Sequence, residues 1–138
     1  LYGPGRGPFE KRRRGEARRI VKPGQVFSRI HVEDIARALA ASMGRPETAA
    51  PGGAVYNLCD DEAAPPQDVL GHAAQLMGLP PPPEIPFEAA EMSHMAQSFY
   101  AENKRVRNDR MKTGLGVRLR YPTYREGLAA LLRDDDAS

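Results

Sequence analysis

The alternation of apolar and polar residues changes its period once in the first third of the chain. Phe27, Ile30 and Val32 fit a strand, whereas Ile35 and Leu39 fall on one face of a helix. We therefore predict a strand over residues 25–30 and a helix over 32–43 that ends at Gly44. A strand-to-helix corner of this kind is where α/β proteins present ligands to backbone amides and side chains.

Two further short apolar runs predict strands. Residues 19–21 are separated from residues 25–30 by a Pro23-Gly24 turn, which predicts a hairpin. Residues 54–59 form a β-rich run consistent with a buried strand. Because a buried strand normally lies in a sheet that is covered on both faces, a partner sheet is missing from this sequence.

The rest of the chain is predicted to be mainly helical. Helical periodicity and glycine stops predict four more helices, over residues 66–77, 92–102, 107–113 and 124–133. Thr123 is the predicted N-cap of the last helix, and Glu126 at its third position completes a capping box. The fold class is therefore α/β, rich in helices and with few short strands.

We interpret residues 1–138 as one domain, with a basic, turn-rich entry segment over residues 1–24 and a proline-rich connector over residues 79–87. The sequence begins at Leu1 without a methionine, in the middle of an apolar-to-turn pattern. We therefore expect it to be part of a longer protein.

The net charge of +2 hides four blocks of alternating sign. Residues 1–29 carry +7, residues 30–102 carry −9, residues 103–125 carry +7 and the remainder carries −3. The two basic blocks can pair with the acidic middle or converge on an anionic ligand, and charge alone does not decide between these.

The one cysteine and the three histidines argue against a disulfide framework and a metal site. Cys59 rules out an internal disulfide, and with the absence of an apolar run of membrane-spanning length it favours a cytoplasmic protein. The three histidines show no ligand spacing, so we expect no metal site. Asp34, at the strand-to-helix corner, is expected to cap the helix that follows it.

Several motifs occur in an order that is familiar from one enzyme superfamily. They are Tyr2-Gly3-Pro4-Gly5, residues 27–36, Val55-Tyr56-Asn57-Leu58, Lys104-Arg105-Val106, Leu115-Gly116 and residues 121–128. In this order they resemble the C-terminal half of extended and atypical short-chain dehydrogenase/reductases, which include NAD(P)-dependent epimerase/dehydratases. The resemblance covers nearly the whole chain.

This resemblance implies a Rossmann-like fold that binds NAD or NADP, with the present chain closing over it as the substrate lobe. The glycine-rich dinucleotide motif is absent from the sequence, and so is a correctly placed Tyr-x-x-x-Lys pair. Tyr100 and Lys104 have the spacing of that pair, but they lie far downstream of Tyr2-Gly3-Pro4, whereas in the family the pair lies upstream of this segment. The resemblance thus implies that the chain holds no catalytic acid or base, and that it is inactive alone.

The resemblance also implies which residues border the substrate. Tyr2, Arg29 and His31 fall on segments that line the pocket, and Arg105 is a second candidate for an anionic group. The substrate is expected to be small and anionic or linked to a nucleotide. His31 fits a satisfied, half-buried histidine equally well, and both arginines can instead pair with the acidic block.

Two alternatives remain open at this point. Residues 6–22 are basic enough for a non-catalytic module that binds nucleic acid or another polyanion. A catalytically inactive family member that serves as a redox sensor or scaffold fits the same sequence. A lobe of this kind also exposes apolar surface, so a homo-oligomer is a further expectation.

Overall fold

The computed structural model describes residues 1–45, 53–103 and 105–137. The elements are the helices α1 (Pro8–Arg13), α2 (Val32–Met43), α3 (Pro66–Leu76), α4 (His94–Phe99), α5 (Asp109–Leu115) and α6 (Tyr124–Ala137), with the strands β1 (Arg19–Val21) and β2 (Glu84–Pro86). A short 3₁₀ turn, Phe87–Ala89, follows β2. The predicted α/β, helix-rich fold class is confirmed.

The prediction that Asp34 caps α2 is wrong. The N-cap is His31, whose Nδ1 accepts a hydrogen bond from the Glu33 amide at 3.1 Å. Asp34 lies in the first turn of the helix and is fully buried, and its two carboxylate oxygens accept the amides of Arg120 (2.9 Å) and Tyr121 (3.0 Å). Asp34 therefore fixes a distant loop against the helix instead of ending the helix itself.

The predicted hairpin is also wrong. β1 pairs in parallel with β2, with Arg19 opposite Glu84 and Val21 opposite Pro86, so the proline-rich connector ends in a strand. Prolines have no amide to donate, but their carbonyls are available, and Pro83 accepts the Arg19 amide at 2.8 Å. Residues 25–30 form no strand in the described part of the chain, and Phe27 makes only a single bridge to Ala64.

Residues 54–59 do not form the predicted strand in the described part of the chain, although Cys59 at the end of the run is buried. Their exposure alternates, because Tyr56 and Leu58 turn inward while Val55 is 72% exposed. Within the described ranges, none of their amides or carbonyls takes part in a backbone–backbone hydrogen bond. No partner strand for this run lies within residues 1–45, 53–103 and 105–137.

All four of the later helices have bounds that differ from the predicted ones: α3 ends one residue earlier, at Leu76, and α6 runs to Ala137 instead of residue 133. α4 is shorter than predicted because the Ser93 hydroxyl caps its start, accepting the Ala96 amide at 3.1 Å. α5 is shifted by two residues from the predicted 107–113 to Asp109–Leu115, and its C-cap is Gly116, whose φ of 67° suits glycine. At α6, Glu126 accepts the Thr123 amide at 3.0 Å, which confirms the capping box.

Two buried clusters hold the chain together. The first joins α3 and α6 to the N-terminal segment and consists of Tyr2, Phe9, Ala64, Val69, Ala73, Tyr124, Leu128 and Leu131. The second lies between α2 and α5 and consists of Ile30, Ala38, Met111, Val117 and Leu119. Among the described residues, no helix combines the length and the apolar character needed to cross a bilayer.

Candidate functional site

A cleft of about 1060 Å³ opens beside the first cluster, bordered by α1, α3, α4 and α6. Its lining carries four basic side chains and one acidic side chain, which are Arg6, Lys11, Arg18, Arg29 and Glu16. An excess of positive charge at a concave surface raises the local concentration of anions. The cleft is therefore suited electrostatically to an anionic ligand.

The same cleft has an aromatic lining. Five aromatic residues border it, namely Tyr2, Phe27, Phe99, Tyr100 and Tyr124. The rings of Phe27 and Tyr100 meet edge to face, with their centroids 5.4 Å apart. Aromatic rings beside cations can accept a flat ring that carries a negative group.

Tyr2 is held at the bottom of the cleft by its backbone and by its ring. Its amide donates to the Ile30 carbonyl at 3.1 Å, and its carbonyl accepts the Val32 amide at 2.9 Å. Its ring meets the ring of His31 edge to face at 5.2 Å, and its hydroxyl donates to the Thr123 carbonyl at 3.4 Å. Burial raises the pKa of Tyr2, so the phenol is neutral and acts as a hydrogen-bond donor.

A glycine of α6 makes room for this ring, which gives a direct prediction. A Cβ at Gly127 would lie 1.9 Å from the Tyr2 hydroxyl oxygen and 2.7 Å from two ring carbons. We expect Gly127→Ala to lower the free energy of unfolding by about 2 kcal/mol, because the buried ring must move. Urea unfolding measures this change.

The matched control is Gly71→Ala in α3, where a Cβ meets no atom within 4 Å. Alanine is a better helix former than glycine, so the free energy of unfolding of this variant should rise by up to about 1 kcal/mol. If both variants change stability in the same direction, the proposed contact between Gly127 and Tyr2 is not what determines the effect.

Arg29 lines the cleft from the segment that precedes α2. One terminal nitrogen of its guanidinium donates to the carbonyls of Phe27 (3.1 Å) and Ala64 (3.0 Å). Burial lowers the pKa of Arg29, although a guanidinium keeps its charge in proteins. Arg29 is therefore a cation held in a fixed position, with donors left over for a ligand.

Asp60 is a feature that the sequence did not single out. It is 5% exposed, one of its carboxylate oxygens accepts the Glu62 amide at 3.1 Å, and the other oxygen has no partner among the described residues. Its own amide donates to the Arg29 carbonyl at 2.6 Å. Burial raises the pKa of Asp60 to about 7, and the nearby Arg29 opposes this effect.

The structure brings together two of the four predicted substrate contacts. Tyr2 and Arg29 both line the cleft. His31 lies directly beside Tyr2 but is 1% exposed and packs between the rings of Tyr2 and Tyr121. Arg105 is exposed and does not line the cleft, and its neighbour Lys104 lies outside the described residues. Burial lowers the pKa of His31, which favours its neutral form.

The described residues contain no group of three or more histidine, cysteine, aspartate or glutamate side chains that could hold a metal ion. Cys59 is buried, and its thiol donates to the Val106 carbonyl at 3.2 Å. Burial raises the pKa of this thiol, so it is a poor nucleophile.

Comparison with known proteins places the chain within longer ones. A functionally unknown conserved protein from Silicibacter pomeroyi DSS is 65% identical, with a TM-score of 0.87, and the match covers 98% of this chain and 46% of that one. A 3-diazoavenalumate denitrifying reductase from Streptomyces sp is 32% identical over 142 residues, covering 93% of this chain and 43% of the relative. No protein-family model matches the chain.

More distant solved structures agree with these matches. MoeE5 in complex with UDP-glucose and NAD is 25% identical, with a TM-score of 0.69 over 99% of this chain and 45% of that one. The human epimerase family protein SDR39U1 with NADPH is 17% identical and shares the fold, with a TM-score of 0.70 over 96% of this chain and 46% of that one. The chain thus spans less than half the length of the proteins it matches, and the resemblance predicted from the sequence is confirmed.

Proposed function

We propose that this chain, which matches the C-terminal half of NAD(P)-dependent epimerase and short-chain dehydrogenase-type proteins, forms the substrate-binding part of such an enzyme. The substrate class that fits the cleft is a small anion carrying a flat ring. The observation that supports this most directly is the pairing of four basic side chains with five aromatic rings in a single cleft.

Each side chain has a role on this proposal. Arg29 is the fixed cation, since two carbonyls orient it. Lys11 and Arg18 are two further cations of the lining, and Arg18 also donates to the Glu91 carbonyl. Tyr2 contributes its ring, because its hydroxyl already donates to the Thr123 carbonyl. The aromatic rings would stack on a base or another planar group. Charge-assisted hydrogen bonds of this kind are among the stronger ones in ligand recognition.

Two of the matched proteins have ligands that agree with this class. One relative is named as a reductase of 3-diazoavenalumate, and the MoeE5 structure holds UDP-glucose with NAD. The nicotinamide cofactor would supply hydride chemistry when bound. The chain has neither the glycine-rich motif nor a placed Tyr-x-x-x-Lys pair, so we propose that the 138 residues alone do not turn over NAD(P)H.

The test is a calorimetric titration of the purified chain with UDP-glucose. Lys11 lines the cleft, whereas Arg14 belongs to the same basic run but does not line it. We expect Lys11→Gln to weaken binding about fivefold, which is the effect of losing one partly solvated ionic contact. Arg14→Gln is the matched control and should bind as the natural chain does.

The same two variants address the polyanion alternative. A module that binds nucleic acid through residues 6–22 would lose affinity for duplex DNA equally in both variants, with a steep dependence on salt. Equal losses of UDP-glucose affinity in the two variants would contradict the proposed function. So would the absence of UDP-glucose binding by the natural chain.

A further inference from the structure

A buried carboxylate, that of Asp60, interacts electrostatically with the Arg29 guanidinium that lines the cleft. The amide of Asp60 donates to the carbonyl of Arg29 at 2.6 Å, so the two residues are joined through their backbones. Ala64, four residues beyond Asp60, accepts the Arg29 guanidinium at 3.0 Å. The segment that carries Asp60 therefore also sets the position of Arg29.

The second oxygen of Asp60 is the unusual part of this arrangement. It is buried and has no hydrogen-bond partner among the described residues, whereas buried carboxylates normally use both oxygens. Asp60 and Arg29 still interact electrostatically, without a direct ion pair of 4 Å or less. Burying a carboxylate in this way costs much free energy when the group is ionised and little when it is protonated.

The protonation state of Asp60 changes how Arg29 acts on the cleft. An ionised Asp60 offsets the positive charge of Arg29 and repels an anion that binds beside Arg29. A protonated Asp60 leaves the charge of Arg29 unopposed. At the low effective dielectric of a partly buried site, such a difference in charge changes affinity by about tenfold.

We propose that Asp60 is a positioning residue for anion binding, so that an anion entering the cleft beside Arg29 is bound together with one proton on Asp60. The proton comes from solvent and adds to the unpartnered carboxylate oxygen. This inference rests on the proposed function, because it requires the cleft to take an anion. It differs from that function in predicting a dependence on pH that a fixed basic cleft would not have.

Other titratable groups surround Asp60 and must be separated from it. Its own segment contributes Cys59, Asp61 and Glu62, the N-terminal segment contributes Tyr2 and the amino group of Leu1, and the corner contributes Arg29. His31 lies beside Tyr2, and Glu16 lines the cleft. All of these remain unchanged in an Asp60→Asn variant, so a comparison of the two proteins isolates Asp60.

The experiment measures the affinity for UDP-glucose between pH 6 and pH 8.5, a range over which the charge of this diphosphate diester is constant. The natural chain should bind about tenfold more weakly at pH 8.5 than at pH 6. Asp60→Asn should bind with little dependence on pH, and at pH 8.5 it should bind about tenfold more tightly than the natural chain. Asp61→Asn is the matched control, since Asp61 pairs with Lys112 and Asn108, and it should keep the natural pH dependence.

Calorimetry in buffers of different ionisation enthalpy tests the same coupling without a variant. The natural chain should take up a proton on binding near pH 8, and Asp60→Asn should not. Binding that is independent of pH in the natural chain, or an Asp60→Asn variant that binds no more tightly, would overturn the inference but not the proposed function. No binding at any pH would overturn both.

Discussion

Asp60→Asn is expected to stabilise the chain by about 4 kcal/mol relative to the natural protein at pH 8, and to leave stability nearly unchanged at pH 4. The pKa of Asp60 is about 7 in the folded chain, compared with 3.8 for a free side chain. The folded chain therefore keeps a proton that the unfolded chain has lost between these two values. Stability due to Asp60 falls as pH rises from about 4 to about 7 and is constant above that.

Urea unfolding at several pH values measures this difference. Burial lowers the pKa values of His31 and His72, so these residues make stability rise with pH up to about 6.5, opposite to Asp60. This contribution is common to both proteins and cancels when one curve is subtracted from the other. Parallel pH profiles for the two proteins would show that Asp60 is not titrating over this range.

Asp34→Ala is expected to lower the free energy of unfolding by about 3 kcal/mol. Asp34 is fully buried, and its carboxylate accepts the amides of Arg120 and Tyr121. Removing it leaves those two amides without a partner, at a cost of about 1–3 kcal/mol each. Thermal or urea unfolding monitored by circular dichroism measures the loss.

The matched control for Asp34 is its neighbour Glu33. Glu33 accepts the Tyr121 hydroxyl at 3.1 Å, but its side chain is partly exposed and the contact is on the surface. Glu33→Ala should cost about 1 kcal/mol or less. Similar losses in the two variants would mean that the loop at residues 120–121 is not held mainly by Asp34.

Helix bounds and caps were predictable where they depend on residues that are close together in the sequence. The bounds of α2 follow from its apolar periodicity, and the capping box of α6 follows from Thr123 and Glu126. The sequence predicts β1 correctly but pairs it with residues 25–30 instead of β2. Its pairing with β2 joins residues more than sixty positions apart, and no local turn signal encodes such a contact.

The candidate site shows the same division. Tyr2 and Arg29 were identified through the family resemblance, and both line the cleft. Asp60 was not identified, because Asp60 and Asp61 are consecutive identical residues and only the folded chain buries one and exposes the other. Asp34 was noted but given the wrong role, since its partners at residues 120 and 121 lie far along the chain.

The run over residues 54–58 has a practical consequence for work with this chain in solution. Unpaired backbone groups along an exposed extended segment can template the addition of another strand, and natural edge strands avoid this with charged side chains. Here the exposed residues are Ala54, Val55 and Asn57, none of which is charged, although the Val55 carbonyl accepts Arg110. Concentrated preparations are therefore expected to aggregate through strand pairing at this run, and Val55→Lys is expected to reduce that aggregation.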